Sequence, residues 1–320
     1  MIPKVRRRMW TVLPLFAAGA AAAVLLAPTV GSTSISLTRA FDTAIPWADN
    51  VDAQIFFVAR LPRVLAAAIV GATLAVSGVV LQALLRNPLA TPFTLGVSAG
   101  AALGAMVVIA AGLDVGALGV STVPMASFAG SMGATAIVYW LARSQRRGLS
   151  TNVLLLAGVT LNALFSALIM FVQYLTDFTQ SFRTLRWLMG DLDVGSYGPL
   201  VAAAPLVLVS FGIFAVLPRT LNLLTLGSDV AAARGVDVAR AERLAFISAS
   251  LATGAAVSLA GPIGFIGIVV PHLVRLLVGA DHRVVLPASA FSARRSWLAV
   301  TWCRARRWRR WSCRWASSRP

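Results

Sequence analysis

The sequence predicts an all-α, polytopic integral membrane protein, and three observations carry that prediction. Of its 320 residues 58% are hydrophobic and 12% charged, with a mean hydropathy of +0.81. A soluble domain of this length cannot bury so much apolar surface, whereas spanning helices leave it in lipid. Apolar runs of about twenty residues, the length that crosses a bilayer as a helix, recur along the chain between polar or proline-bearing corners. Where one run opens, Gly96, Gly100 and Gly104 fall at four-residue spacing, a pattern that lets membrane helices approach backbone to backbone.

A basic start (Lys4, Arg6, Arg7, Arg8) precedes a first run near 10–30 with no clear small-residue cleavage site. It reads as a spanning helix with its N-terminus inside. Arg60-Leu61-Pro62-Arg63 introduces a second span near 64–85. That span closes at Arg86-Asn87-Pro88-Leu89-Ala90-Thr91-Pro92, where two prolines stop one helix before the next begins. Further spans are expected near 93–112, 117–142, 152–175, 197–217, 244–260 and 262–280, and a ninth starts near Val284. Alternating sides from an inside N-terminus leaves Arg39, Arg60, Arg63, Arg183 and Arg186 outside. All other Lys and Arg residues before Ala290 then fall inside, as the positive-inside bias requires. The segment Gly71–Gly78 resembles Gly254–Gly261 on a span of opposite direction, as in an inverted repeat.

The spans are almost empty of ionisable groups, whereas carriers driven by protons or sodium keep acids or histidines at membrane depth. Energy is therefore expected from elsewhere. Lys4 is the sole lysine, so this chain holds no Gly-x-x-x-x-Gly-Lys phosphate loop, and a separate ATPase is the natural source. No nucleophile–base pair, paired carboxylates or Cys-x-x-Cys supports catalysis by the chain itself. His272 lacks partners with metal-ligand spacing and is read as a packing residue; no metal site or bound cofactor is expected.

The blocks 60–100, 227–243 and 261–287 resemble permease subunits of the iron-siderophore and vitamin B12 ABC importers, the FecCD/BtuC type. The last block includes Gly261-Pro-Ile-Gly264-Phe-Ile-Gly267 and Pro271-His272-Leu273-Val274-Arg275. The resemblance implies a ten-span permease fold, with about eight spans intact here, in the bacterial cytoplasmic membrane. It implies a homodimer or paired heterodimer with two ABC ATPase subunits inside, which use the ATP, and an extracytoplasmic substrate-binding protein outside. The implied cargo is an iron-siderophore chelate, with cobalamin or haem as alternatives. No nucleic acid is expected as a partner.

Arg60 and Arg63 sit together at an outer helix end, against the positive-inside bias. They suit either lipid headgroups or bidentate pairing with carboxylates, and the resemblance implies docking of the binding protein. The inner loop 218–243 reads as short helices, with Asn222 or Ser228 as caps and Gly235 as a stop. By resemblance it is the coupling loop received by the ATPase, through Leu226, Gly227, Ala231, Arg234 and Gly235. Gln82, Asn87 and Leu89 lie at the inner end of the second span. The resemblance places Asn87 and Leu89 at a cytoplasmic constriction; capping before proline is the alternative for Asn87. Ser150 and Thr151 begin the fifth span at the same level, and that span, with Asn162 and Ser166, resembles the family's pathway-lining helix.

Through Ala290 the chain follows the family, as a permease domain of residues 1–290. Residues 291–320 are different: nine of the 28 basic residues, five of nine tryptophans and both cysteines fall there, with no acid. One allowed set of codons for Ser292–Pro320, read two nucleotides later, encodes GAAFLAGGDLVSRTALAPVELPVGIVTA. That product has the acid–arginine helix end and the ELPVG opening of a last span that the family expects. A frameshift near codons 290–292 is the reading adopted. An Arg/Trp segment that binds lipid or nucleic acid is the alternative.

Overall fold

The computed structural model describes residues 3–31, 33–113, 121–143, 150–192 and 194–293. Every regular element among them is helical. The chain opens with α1 (Pro3–Leu26), then short turns α2 (Leu37–Ala40) and α3 (Val51–Gln54) lead into α4 (Leu61–Leu84). Next come α5 (Val97–Ala110), α6 (Thr122–Arg143) and α7 (Thr151–Tyr174), followed by the short α8 (Phe178–Leu188). After α9 (Gly198–Val216) two short helices, α10 (Pro218–Leu224) and α11 (Ser228–Ala233), lead to α12 (Val238–Ala260), α13 (Ile266–Val278) and a last helix α14 over 282–293. Of the expected tail 291–320, residues 291–293 instead continue α14, with Ala293 fully buried in the core, and residues 294–320 lie outside the described residues.

At the centre is α4, buried on every side from Val70 to Leu85, as a helix apolar all round must be in a packed bundle. It packs chiefly on α12 and α13, so the two segments with the repeat-like glycine pattern lie on neighbouring helices. The α4–α13 crossing is close: a Cβ on Gly78 would stand 2.2 Å from the Gly267 carbonyl oxygen. The α5–α6 pair meets through glycine as well, since a Cβ on Gly130 would stand 2.2 Å from the Gly100 carbonyl and one on Gly104 would stand 2.2 Å from that of Ala126. Gly96 departs from the expected three-glycine face. It precedes α5 in a left-handed conformation (φ 77°) and lies against Gly158 and Leu161 of α7.

Six helical runs are long and apolar enough to span a bilayer: Trp10–Thr29, Val51–Leu84, Thr122–Arg143, Thr151–Tyr174, Gly198–Val216 and Val238–Ala260. The two other expected spans, 93–112 and 262–280, are shorter helices than anticipated. With 14 and 13 residues, α5 and α13 rise about 20 Å, less than the hydrocarbon core. Each is preceded by an irregular turn, and such backbone is tolerated at depth only where protein covers it. Thr91 and Leu95 in the turn before α5 are accordingly buried, whereas in the turn before α13 Gly261 is buried and Phe265 is exposed. The second span is longer than expected because α3 runs on through a π-wound stretch, Ile55–Arg60, into α4. Pro62 has no N–H to give the preceding turn, and the Leu61 N–H reaches back to the Phe56 carbonyl instead. Finally, α12 starts at Val238, where Asp237 accepts a 3.0 Å hydrogen bond from the Arg240 N–H. The last six residues assigned to the coupling loop therefore belong to a spanning helix.

Candidate functional site

Polar side chains collect at two ends of the bundle. At one end α4 stops at Leu85, and Arg86 follows in the left-handed region with φ 49°, a conformation costing an L-residue roughly 1–2 kcal/mol. Asn87 then shapes the corner. Its N–H donates to the Gln82 carbonyl at 3.1 Å, and its side-chain oxygen accepts from the Leu89 N–H at 2.9 Å. Asn87 is thus a turn former whose side chain is engaged locally, while Leu89 projects from the corner with 66% of its surface exposed.

The segment α10–α11 lies beside that corner. A Cβ on Gly227 would stand 3.9 Å from Arg86 Nη1, so the guanidinium flanks the start of α11. Gly227 (φ 121°) and Gly235 (φ 80°) bracket α11 in conformations that L side chains rarely adopt. Gly235 ends the helix as expected, but neither proposed cap serves as one: Ser228 is already helical, with Gly227 in the cap position, and Asn222 lies inside α10. Leu226 and Arg234 are exposed. Ala231 is fully buried, so it anchors α11 to the bundle and offers no surface to a partner.

Gln82 also requires a correction. It is buried, its amide nitrogen donates to the Gly267 carbonyl at 2.9 Å, and its amide oxygen accepts from Arg275 Nη1. A buried amide held at both ends ties α4 to α13 and does not line a pathway. Sequence reasoning missed a second tie. Asn222 donates to Asp281 Oδ1 at 2.8 Å and accepts from the His282 N–H at 3.0 Å. Its side-chain oxygen also lies 2.7 Å from His282 Nδ1, so that nitrogen carries the proton. Burial, with the Arg275 charge adding to it, pushes His282 down to about 4 against a smaller opposing pull from Asp281. Two titratable residues in a short turn between apolar helices were the available signal. His272, read as a packing residue, is exposed.

Along α7, Ser150 occupies the cap position but its carbonyl, not its hydroxyl, receives the Leu154 N–H at 2.9 Å. Thr151 follows, half-buried. Asn162 donates to the Phe93 carbonyl at 2.7 Å and so holds the turn before α5, where Gly158 also packs against Thr94 and Leu95. Ser166, one turn on, is exposed beside Leu164 and Met170.

At the opposite end Arg60 donates to the Pro28 carbonyl at 3.0 Å and to that of Thr33, and its guanidinium covers Gly31, where a Cβ would stand 2.5 Å away. Arg60 therefore secures the segment after α1. Arg63 is exposed. Tyr197 donates to the Phe57 carbonyl at 2.6 Å, closing the same end.

The model of the FecCD transport family matches residues 19–304. The Cobalamin import system permease protein BtuC of Halobacterium salinarum is 41% identical over 262 residues, 80% of this chain and 68% of that protein. The Hemin transport system permease protein HmuU of Yersinia pestis is 38% identical over 263 residues, 82% and 77% respectively. Among solved structures, an inward-facing ABC transporter assigned to the metal-chelate type superposes with a TM-score of 0.78 at 32% identity, covering 91% of this chain and 89% of that one. With its helical runs long and apolar enough to span a bilayer, the chain is a multi-pass membrane protein, and it belongs to the FecCD transport family.

Proposed function

We propose that this chain is the permease subunit of an ATP-driven, binding-protein-dependent importer of a chelated metal or tetrapyrrole, with an iron-siderophore complex as the favoured cargo. The observation that carries the reading is the exposed α10–α11 segment, presenting Leu226 and Arg234 beside the Arg86–Leu89 corner. A docking element next to a corner that can open suits an external motor, and the chain has no phosphate loop of its own. In this reading Leu226, Gly227, Arg234 and Gly235 meet an ABC ATPase at the cytoplasmic face, where the N-terminus also lies. Asn87 and Leu89, with Ser150 and Thr151, border the inner constriction, and the Asn162–Ser166 face of α7 borders the pathway. Arg63 faces the extracytoplasmic binding protein, and a second permease copy or paralogue completes the pathway.

The test is uptake of radiolabelled ferric siderophore by vesicles holding the chain with its ATPase and binding protein. Uptake that requires all three, and stops when the ATPase is inactivated, is expected. Uptake surviving loss of the ATPase assigns the chain to the secondary carriers and overturns the reading.

A further inference from the structure

We propose that Asn222 is a positioning residue that couples displacement of α10–α11 to the Asn87–Leu89 corner; the inference rests on the importer reading above. Its basis is a continuous run of polar contacts. Asn222 grips the turn between α13 and α14 by three contacts, with Asp281, the His282 N–H and His282 Nδ1. Asp281 is itself fixed, accepting from the Arg283 N–H at 3.0 Å and lying 3.4 Å from Arg283 Nε. That turn closes α13, whose Arg275 reaches the Gln82 side chain, while the Gln82 carbonyl receives the Asn87 N–H. From α10 to the corner the links are hydrogen bonds, joined by the backbone stretch 275–281, which leaves α13 after Val278, and by Gln82 itself. Arg86 closes the loop by lying beside Gly227.

The energetic argument is burial. His282 is 5% exposed, and its Nδ1 proton has the Asn222 oxygen as acceptor. Removing that acceptor leaves a buried donor without a partner, which is costlier than losing an exposed hydrogen bond. The clamp therefore holds α10 and the α13–α14 turn at one separation, and a pull on α10 moves both. A segment attached only by apolar contacts, such as Leu221 and Leu224 packing into the core, can slide; a three-point polar grip resists sliding.

The assembled transporter in proteoliposomes decides the matter, with uptake per ATP hydrolysed as the readout. N222D brings a carboxylate against Asp281 and should lower that ratio about tenfold while ATP hydrolysis and membrane level change little. The double change N222D/D281N keeps the acceptor for His282 and returns an amide donor to the pair, so it should restore the ratio. N222A, which adds no charge, replaces N222D if the latter does not accumulate. An unchanged ratio in either single variant, or no rescue by the pair, overturns the inference. If neither single variant accumulates, Asn222 serves folding alone and the inference falls as well. Absence of uptake by the frame-restored chain with native residue 222 overturns the importer reading itself, whereas uptake by that chain with an unaltered variant ratio overturns only the clamp.

Discussion

Gln82 donates to the carbonyl of Gly267 at 2.9 Å, and one turn earlier a Cβ on Gly78 would strike the same oxygen at 2.2 Å. One carbonyl thus fixes both the polar tie and the closest approach of α4 and α13. Gly78→Ala should push the helices apart, break the Gln82 bond and cost about 1–3 kcal/mol or more. Gly267→Ala should cost less, because its nearest obstacle, the Leu74 carbonyl, would lie 3.3 Å from the new Cβ. Thermal unfolding in detergent ranks the two; equal losses would show that the crossing adjusts freely.

The α5–α6 contact permits a sharper contrast. Gly130→Ala would place a methyl 2.2 Å from the Gly100 carbonyl, and about 2 kcal/mol of stability should be lost. Three residues on, a Cβ at Gly133 meets nothing within 4 Å. Gly133→Ala should be neutral or raise stability by up to about 1 kcal/mol through helix propensity. A comparable loss in both variants would mean that the exposed face of α6 is covered in the native membrane.

These contacts show which parts of the protein were legible beforehand. Hydropathy and corner prolines located the helices because bilayer thickness sets a length that composition alone can report. Gly100 and Gly104 were read correctly as a packing face, since four-residue spacing survives into the fold, whereas Gly96 failed because it precedes the helix. Partnerships between distant side chains were invisible. Gln82 lies 185 residues from Gly267 and 193 from Arg275, and Asn222 lies 59 from Asp281. No local pattern encodes such pairs. The exposed surface of the α10–α11 segment was readable in part: Leu226 before α11 and Arg234 at its end are outward, whereas Ala231 within the helix is turned into the core.

Arg60 and Arg63 were read as one docking pair, and the structure separates them. Arg60→Ala leaves the Pro28 and Thr33 carbonyls without their donor and should destabilise the segment after α1 by about 1 kcal/mol, seen as faster proteolysis near residue 30. Arg63→Glu should weaken binding-protein affinity about tenfold, with a reduced salt dependence. An affinity unchanged by this charge reversal would remove Arg63 from the docking surface.

The reading frame beyond Ala290 has a direct test. Sequencing the gene across codons 285–320 and onward should recover the frame two nucleotides downstream, and restoring it should yield uptake where the Arg/Trp-rich product yields less. In the present frame the family match runs to residue 304, past codons 290–292, so the reads and not the match decide where a junction falls. Independent reads that keep the present frame, with a 291–320 peptide that binds anionic vesicles in a salt-sensitive way, would assign the segment to the membrane surface instead.

His282 gives a pH dependence whose sign follows from its surroundings. Its folded-state pKa lies at about 4, below the ordinary 6.5, because burial and the Arg275 charge disfavour the imidazolium more than Asp281 favours it. Above pH 6.5 the ring is neutral in folded and unfolded chains, and this contribution to stability is complete. As pH falls from 6.5 towards 4, the unfolded chain takes up a proton that the folded chain refuses, so stability declines, by up to about 3 kcal/mol. Below pH 4 the folded form protonates as well and the decline stops. Carboxylates titrate in the lower part of this window, so the informative quantity is the difference between wild type and His282→Gln. Unfolding midpoints in detergent at pH 7, 6 and 5 should fall more steeply for the wild type. Parallel slopes would mean that the ring ionises freely, and then the Asn222 oxygen is not held against a neutral imidazole.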